Sequence, residues 1–353
     1  FEYKNLNELF FKGKKISKYK VSEYIFYENG NIINSDIKGN INVFSVTDNK
    51  TLIKFNFYKK KYKKINKKLN LIVENNIIYV SDNFGYLYAY NYFDGKLLWA
   101  KNYNIPFRSN LKIYKNTIFA ANQNNNLFFF NKLTGEILKQ IPTEETIVKN
   151  NFINSLSLDE KNIFFLNTYG SLYSVDITSK RINWFINLNQ SLDINPNNMF
   201  NGSQIINSGG KIIISSNQFL YIIDSNTGSI IFKKNFPISI NPLIINDILF
   251  LVSKKNFLIS FDLNKDKIIY SYNINTKIAD FLKNKEKNAD LKNIMMAEGK
   301  LLLFLKNSHI LVFNTRGNLE KVKKLPGKMN TFPILIENKI LFLDKKNKLT
   351  IVN

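Results

Sequence analysis

The stretch NIIYVSDNFGYLYAYNYFDGKLLW, residues 76–99, decides the fold. It consists of three short runs rich in β-branched and aromatic residues, and turn residues separate each run from the next. Gly85 lies in the first turn and Gly95 in the second, at positions where hairpin turns favour a positive φ. Residues 76–99 therefore predict three antiparallel strands joined by two hairpins.

The same pattern recurs along the whole chain, each time around one apolar anchor residue in the middle strand. The anchors lie on average about 44 residues apart, which is the period of a four-stranded propeller blade and is too long for leucine-rich or ankyrin repeats. A further short strand precedes the pattern, which gives four strands per unit. The eight anchors are Ile41, Leu87, Leu127, Leu172, Leu220, Leu258, Ile310 and Leu349.

Short polar residues and glycine occupy fixed places around each anchor. Four residues after the anchor, seven of the eight units carry Asn or Asp, whose side chains accept hydrogen bonds from the backbone just ahead and so open a turn. Two residues before the anchor, six of the eight units carry Gly or Asn, which tolerate a left-handed backbone. These positions predict the hairpin turns on either side of the anchor strand.

A large apolar residue lies twelve residues after several anchors, and both tryptophans of the chain, Trp99 and Trp184, occupy this position. Phe232 and Tyr270 occupy it in later units. Repeat units bury their faces against their neighbours, so a bulky side chain at one fixed place is typical of such packing. We interpret these four residues as inter-blade packing residues rather than as ligand-stacking groups.

These patterns predict an all-β fold, an eight-bladed β-propeller of four-stranded antiparallel blades formed by a single domain, residues 1–353. The last unit ends after its third strand, whereas a spare segment precedes the first unit. We therefore expect the N-terminal segment, residues 1–22, to complete the last blade. A strand from within Asn7–Val21 would close the ring and remove its exposed sheet edges.

Two segments are longer than a blade requires, residues 143–160 and 274–296. The second carries apolar residues at helical spacing, which predicts a short amphipathic helix. Insertions in repeat proteins tend to fall on the binding face, so both segments are candidate partner sites. The apolar residues of the second segment are Ile278, Phe281, Leu282 and, after a charged run, Leu291 and Ile294.

The composition excludes several kinds of chemistry. The chain has 353 residues with no cysteine and one histidine, His309, which excludes cysteine-ligated zinc, iron–sulfur clusters, thiol nucleophiles and any site that needs two histidines. We interpret His309 as a turn or strand-edge residue. The sequence contains no phosphate-binding glycine loop and no run of about 18 apolar residues that could span a membrane. We predict no catalytic residue, no cofactor and no metal.

Lysine dominates the charge of the chain. The sequence has 50 Lys and Arg residues against 27 Asp and Glu, a formal net charge of +23, yet only three of the basic residues are arginines. Codon bias in an AT-rich genome is one explanation, and attraction to an anionic partner is the other. We interpret the densest basic run, Lys59–Lys68, as a solvated loop. Nucleic-acid recognition favours the arginine fork, so we predict no nucleic-acid partner.

The segment GYLYAYNYFDGKLLW, residues 85–99, resembles the repeat of the PQQ-type (quinoprotein) propellers, and residues 130–138, 170–184 and 220–232 are similar to it. One branch of that class contains dehydrogenases that bind PQQ and Ca²⁺ and carry a vicinal cysteine pair. Another contains the BamB-type lipoproteins, eight-bladed propellers that act as scaffolds in outer-membrane assembly. The lack of cysteine and of an isolated carboxylate constellation for Ca²⁺ favours the BamB-type branch.

The BamB-type resemblance implies a docking loop. In that family a loop after the fourth unit helps to dock the propeller on a POTRA domain of the barrel insertase BamA. The corresponding stretch here is NQSLDINPNNMF, Asn189–Phe200. The implied partner-binding residues are Leu192, Asp193, Ile194 and Asn195, of which Asn195 stands where the family has an arginine.

The same resemblance implies the function, the partners and the location. It implies a non-enzymatic scaffold for the assembly of β-barrel proteins, with unfolded outer-membrane proteins as further partners, in the periplasm at the outer membrane. The family's next inter-blade loop carries an acidic pair, which has no equivalent in Phe236–Pro242. The chain begins at Phe1 rather than Met, and we expect a secretory signal and any lipid anchor to lie outside it.

Two alternatives to the scaffold stay open. The first is a PQQ- and Ca²⁺-dependent enzyme of the quinoprotein dehydrogenase kind. The second is a basic propeller that binds an anionic partner, nucleic acid or anionic lipid, through the run Lys59–Lys68, with binding that falls steeply as salt is added.

Overall fold

The computed structural model describes residues 10–58, 62–145, 153–189, 200, 202–216 and 218–352. These residues form thirty-two strands and one helix, and the strands pair into eight antiparallel sheets of four strands each. The predicted all-β fold, an eight-bladed β-propeller of four-stranded antiparallel blades, is confirmed. We number the blades 1 to 8 in chain order. The chain divides into two compact units of four blades each.

The first unit comprises residues 1–55 and 236–353 and contains blades 6, 7, 8 and 1. Its single helix, α1 (Ile274–Leu282), lies between blades 6 and 7 in the chain. Blade 1 comprises β2 (Phe26–Glu28), β3 (Asn31–Ser35), β4 (Asn40–Ser45) and β5 (Lys50–Asn56); blade 6 comprises β22 (Leu243–Ile245), β23 (Ile248–Val252), β24 (Phe257–Asp262) and β25 (Lys267–Asn273); blade 7 comprises β26 (Leu291–Ala297), β27 (Lys300–Leu305), β28 (His309–Asn314) and β29 (Leu319–Lys324); blade 8 comprises β30 (Ile334–Ile336), β31 (Lys339–Leu343), β32 (Lys348–Val352) and β1 (Phe10–Lys15).

The second unit comprises residues 56–235 and contains blades 2 to 5. Each of these blades is built from four strands that follow one another in the chain. Blade 2 comprises β6 (Leu69–Glu74), β7 (Ile77–Asp82), β8 (Tyr86–Asn91) and β9 (Lys96–Asn102); blade 3 comprises β10 (Lys112–Tyr114), β11 (Thr117–Ala121), β12 (Leu127–Asn131) and β13 (Ile137–Ile141); blade 4 comprises β14 (Ser155–Leu158), β15 (Asn162–Leu166), β16 (Ser171–Asp176) and β17 (Ile182–Asn187); blade 5 comprises β18 (Ile206–Ser208), β19 (Lys211–Ser215), β20 (Phe219–Asp224) and β21 (Ile230–Asn235).

Blade 8 combines the beginning of the chain with its end. Strand β1 pairs antiparallel with β32, with Phe11 opposite Ile351 and Lys12 opposite Thr350. The pairing is extended by a hydrogen bond from the Ile16 backbone N–H to the Asn347 carbonyl, at 2.9 Å. The N-terminal strand that the sequence placed within residues 7–21 therefore supplies the outer strand of the last blade, which leaves β32 no exposed edge.

Six of the eight anchor residues lie in core clusters where neighbouring blades bury each other's faces. All eight are buried, with at most 4% of the side chain exposed. The second strands β7 and β23 are almost entirely buried, which explains their nearly continuous apolar sequences IIYVSD and ILFLV. Leu87 lies in the core between blades 2 and 3, Leu127 between blades 3 and 4, Leu172 between blades 4 and 5, Leu258 between blades 6 and 7, Ile310 between blades 7 and 8, and Leu349 between blades 8 and 1.

The polar turn residues act as the sequence pattern predicts. Asn91 Oδ1 accepts hydrogen bonds from the backbone N–H groups of Phe93 and Asp94, at 2.9 and 3.1 Å. Asp224 does the same in blade 5. These side chains fix the turn between the third and fourth strands, because they satisfy backbone donors that the hairpin leaves unpaired.

The insertion before blade 7 contains a shorter helix than its apolar pattern suggested. Helix α1 begins after Asn273, whose side chain accepts from the first-turn N–H groups, and it ends at Lys283 in the left-handed conformation. The sequence pattern places Leu291 and Ile294 with the helix, but in the structure they belong to strand β26 and pair with β27. In the part of the chain that the structure describes, no helix combines the length and the apolar character needed to cross a bilayer.

The loops of every blade lie at the two ends of its strands, and these two ends carry different loops. We call one the linker edge: it carries the turn between the second and third strands and the connection to the next blade. The other, the turn edge, carries the turns between the first and second and between the third and fourth strands. The described residues beside the predicted docking loop, and parts of both insertions, lie at the linker edges of their blades. Because loops commonly carry binding residues, the linker edges are the candidate location of a partner site.

Candidate docking site

The predicted partner-binding residues Leu192, Asp193, Ile194 and Asn195 lie outside the described residues. The structure does describe the residues on both sides of them. Leu188 and Asn189 follow strand β17, and Phe200 is described on the far side. These flanking residues show how the loop is attached to blade 4.

Both ends of the loop are fixed to one turn of blade 4, residues 167–170. The Leu188 N–H donates to the Gly170 carbonyl at 2.8 Å, and the Phe200 N–H donates to the Thr168 carbonyl at 2.9 Å. Leu188 and Phe200 are also buried in the core between blades 4 and 5. The described residues on both sides of the loop are therefore fixed on blade 4 and in the core beside it.

Glycine is required in this turn for two reasons. Gly170 has a φ of +85°, and a Cβ atom placed on it would lie 2.8 Å from the Phe200 ring. Asn167 stabilises the same turn, because its side-chain oxygen accepts from the N–H groups of Tyr169 and Ser171, each at 3.0 Å. The turn that holds the loop is thus itself rigidly held.

A carboxylate from the neighbouring insertion binds to the same part of blade 4. Glu144 accepts hydrogen bonds from Ser171 Oγ at 2.6 Å, from Tyr173 OH at 2.7 Å and from Asn167 Nδ2 at 2.7 Å. Its backbone carbonyl accepts from Asn125 Nδ2 of blade 3, at 3.1 Å. The start of the insertion is therefore tied to two blades; residues 146–152 lie outside the described part.

These contacts set the charge of Glu144. Burial acts to raise the pKa of its carboxyl, but the hydrogen bonds from Ser171, Tyr173 and Asn167 outweigh burial and hold the pKa below its usual range. In turn, burial and the hydrogen bond to Glu144 raise the pKa of Tyr173. Glu144 is consequently anionic at neutral pH, and its neighbour remains a neutral donor.

The arrangement suits binding better than acid–base chemistry. Two of the three donors to Glu144 bind Oε2 and one binds Oε1, so most of the acceptor positions of the carboxylate are already engaged. Among the described residues, no three His, Cys, Asp or Glu side chains come together as a metal site would require. Sequence reasoning marked the insertion at 143–160 but missed Glu144, because its partners lie more than twenty residues away in the chain and follow no period.

The basic run Lys59–Lys68 is only partly a solvated loop. Residues 59–61 lie outside the described part, and Lys63, Lys64 and Lys68 are exposed. Lys67, however, is 4% exposed, and its Nζ donates to the Tyr62 carbonyl at 2.6 Å. The described end of the run therefore packs on blade 2 through an aliphatic stem and one capped ammonium group.

A buried carboxylate lies beneath this run. Asp82 accepts from the N–H groups of Phe84 and Tyr86, each at 2.8 Å, and from the Tyr58 hydroxyl. Burial outweighs these hydrogen bonds and raises the pKa of Asp82. The equivalent positions in blades 3 and 4 are Asn122 and Asn167, which cap their turns in the same way without a charge.

The four residues predicted to pack between blades lie on outer strands, away from the loops described above. Trp99 Nε1 donates to the Lys132 carbonyl at 3.2 Å, and the indole ring covers Gly135. Trp184 repeats this arrangement with the Ser225 carbonyl, at 3.1 Å, and with Gly228.

The later two positions are occupied by smaller rings. Tyr270 on β25 lies against Gly317 of blade 7 together with Tyr272. Phe232 is partly buried on β21, opposite Ile222. The single histidine, His309, begins strand β28, where its Nδ1 is 3.0 Å from Asn307 Oδ1 and burial lowers its pKa.

Solved structures of low sequence identity share this fold. BamB from Moraxella catarrhalis matches with a TM-score of 0.72 at 11% identity, covering 96% of this chain and 98% of that chain. The computationally designed Ika8 protein matches with a TM-score of 0.72 at 10% identity, over 96% and 99% of the two chains. Sqt1 from Saccharomyces cerevisiae matches with a TM-score of 0.69 at 10% identity, over 97% of each. At these identities the likeness concerns the fold alone.

Comparison of the sequence with curated proteins finds no match. The model of one protein family, described as "Outer membrane protein assembly factor BamB", matches residues 38–272, which is more than half of the chain. The matched segment contains six of the eight anchors and the docking loop with its base on blade 4. The chain therefore belongs to the BamB family.

Proposed function

We propose that this protein is a non-enzymatic scaffold that assists the assembly of β-barrel proteins in the outer membrane, from the periplasmic side. The match of the BamB family model to residues 38–272 is the observation that carries the proposal. The proposed partner is a POTRA domain of the barrel insertase, with unfolded outer-membrane proteins as transient clients. A propeller suits this task because its packed blades form a scaffold that positions surface loops for binding.

The docking loop, residues 189–200, is the proposed contact with the insertase. The residues on either side of it, Leu188 and Phe200, are held on the turn at residues 167–170. Leu192 and Ile194 supply apolar side chains of the kind that anchor an interface. Glu144, held on the same turn, adds a fixed negative charge that a cationic group of the partner can approach.

The scaffold role rather than an enzymatic role is supported by what the side chains offer. The sequence contains no cysteine, whereas the quinoprotein dehydrogenases that its repeat resembles carry a vicinal pair. The polar groups assembled around Glu144 are engaged with one another. A stoichiometric complex with PQQ and Ca²⁺ that oxidises an alcohol would contradict the non-enzymatic proposal.

Co-purification with the POTRA domains of the insertase tests the proposal. The variant Leu192→Ala/Ile194→Ala removes both apolar side chains of the loop, and we expect binding to weaken about tenfold or more. The matched control is Phe93→Ala/Leu133→Ala, which removes two apolar side chains, 80% and 68% exposed, from the turn edge. The control should bind like the wild type.

The outcomes separate the site from the function. Unchanged binding of the loop variant would refute residues 189–200 as the docking site, even if the wild type binds. Failure of the wild type to bind any POTRA domain would refute the insertase as partner. Equal loss in the loop variant and in the control would show that the measured binding is non-specific.

A further inference from the structure

The net positive charge of the chain is unevenly placed within the first unit. The described residues in the connections at its linker edges include thirteen lysines and six acidic residues. The connections at its turn edges include one lysine, one arginine and five acidic residues. The linker-edge connections are residues 16–25, 36–39, 236–242, 253–256, 274–290, 306–308, 325–333 and 344–347.

The linker edges of these four blades belong to one side of the unit. Blades 6, 7, 8 and 1 are consecutive, and residues 274–290, 325–333 and 16–25 each join the linker edge of one blade to that of the next. The cores between blades 6 and 7, 7 and 8, and 8 and 1 hold these blades together. The lysines therefore act on a partner as a group.

Two of the acidic residues of this side, Asp36 and Asp344, are buried in turns, and Asp344 also forms an ion pair with Lys12 of strand β1, at 3.5 Å. Asp36 and Asp344 are each 3% exposed. Their carboxylates bind within their own turns, where Asp36 accepts from the Lys38 N–H and Asp344 from the Lys348 N–H, each at 2.9 Å. By contrast, two lysine pairs are exposed: Lys254–Lys255 and Lys345–Lys346. They occupy equivalent positions in the turns between the second and third strands of blades 6 and 8. With thirteen lysines against six acidic residues, the connections at this side carry a formal net charge of +7.

Exposed aromatic side chains accompany the lysines. Tyr24, between blades 8 and 1, is 46% exposed, and Phe281 at the end of helix α1 is 45% exposed. The basic segment at residues 283–287, KNKEK, begins two residues after Phe281. Lysines interspersed with partly exposed aromatic rings, near a short amphipathic helix, are typical of surfaces that lie at the headgroup region of a membrane.

We propose that the linker-edge side of the first unit binds the surface of an anionic phospholipid bilayer. A bilayer engages many separate ammonium groups at once, each through its charge. The linker edges of this unit carry no arginine, the residue that nucleic-acid recognition uses for bidentate contacts. The proposal does not depend on the docking loop, which belongs to the second unit.

Vesicle co-sedimentation tests this proposal with the full chain. The wild type should bind vesicles of equimolar phosphatidylcholine and phosphatidylglycerol, bind vesicles of pure phosphatidylcholine much more weakly, and dissociate as salt is added. The variant Lys254→Glu/Lys255→Glu reverses two charges at the linker edge and should lose about tenfold or more in affinity. A second variant, Lys345→Glu/Lys346→Glu, should behave in the same way.

The turn edge supplies the matched control. Lys265→Glu/Arg316→Glu makes the same change in net charge at two exposed turn positions of the same unit, and it should bind anionic vesicles like the wild type. Circular dichroism verifies that every variant is folded. Equal binding to neutral and anionic vesicles, equal loss in the control, or preference for an oligonucleotide or a polyglutamate chain over anionic vesicles would each overturn the proposal.

Discussion

A glycine-to-alanine substitution at residue 135 measures how much the tryptophan contact between blades 2 and 3 contributes to stability. Gly135 has a φ of +74°, and a Cβ atom there would lie 2.6 Å from Cε3 and Cζ3 of Trp99. Gly95 occupies the equivalent turn of blade 2 with a φ of +69°, but its nearest neighbour would be the Tyr90 hydroxyl at 3.9 Å. Gly95→Ala therefore carries the cost of the backbone conformation without the steric clash.

The difference between the unfolding free energies of Gly135→Ala and Gly95→Ala measures the steric clash with the indole ring of Trp99. An L-residue in the left-handed region costs about 1–2 kcal/mol, which is the expected loss for Gly95→Ala. Overpacking adds about 1–3 kcal/mol, so Gly135→Ala should lose about 2–5 kcal/mol in total. In a Trp99→Ala background the clash is gone, and Gly135→Ala should cost no more than Gly95→Ala.

Urea-induced unfolding followed by far-ultraviolet circular dichroism gives the four free energies of the double-mutant cycle. We expect a coupling of about 1–3 kcal/mol between Trp99 and Gly135. Equal losses for Gly135→Ala and Gly95→Ala, or strict additivity with Trp99→Ala, would refute the reasoning that the tryptophan position packs blades together.

Three further substitutions probe individual contacts. Because burial raises the pKa of Asp82, the neutral carboxyl contributes stability below pH ~4 that is lost as the pH rises through the folded-state pKa; Asp82→Asn should therefore unfold at a higher temperature than the wild type at neutral pH, with the difference disappearing in acid. Because hydrogen bonds lower the pKa of Glu144, its contribution is present above the unfolded-state pKa and is lost as the pH falls. Glu144→Gln should cost at most about 1 kcal/mol at neutral pH, since solvent still reaches the partly buried carboxylate, and less in acid. Asn273→Ala removes the side chain that caps helix α1 and should cost about 1 kcal/mol, with faster amide exchange confined to the first turn of the helix; an unchanged exchange rate there would contradict the capping role.

The blade architecture could be predicted from the sequence because each blade is built locally. Its strands follow one another in the chain, so strand and turn chemistry appear in the same order in every repeat. Leu87 and its equivalents are buried, so every repeat has an apolar residue at the same position of its third strand. Strand β1 of blade 8 could also be predicted, because the last repeat ends after its third strand and lacks a fourth.

The loops could not be predicted in the same way because their contacts are long-range. Glu144, in the connection before blade 4, accepts hydrogen bonds from Ser171 and Tyr173 on the third strand of that blade, and no periodicity connects these positions. The segment at residues 274–296 has apolar residues at a spacing compatible with a helix, but Leu291 pairs with Leu305 in a sheet. Local spacing did not distinguish the two, whereas the cap at Asn273 and the left-handed Lys283 define the helix in the structure.

Reconstituted assembly tests the central claim, the scaffold function, most directly. Liposomes containing the barrel insertase would receive an unfolded β-barrel substrate with or without this protein, and the rate of appearance of the heat-resistant folded barrel would be followed on gels. The account predicts faster folding when the protein is present, and no effect in liposomes without the insertase. An unchanged rate at saturating protein, with the insertase active, would contradict it.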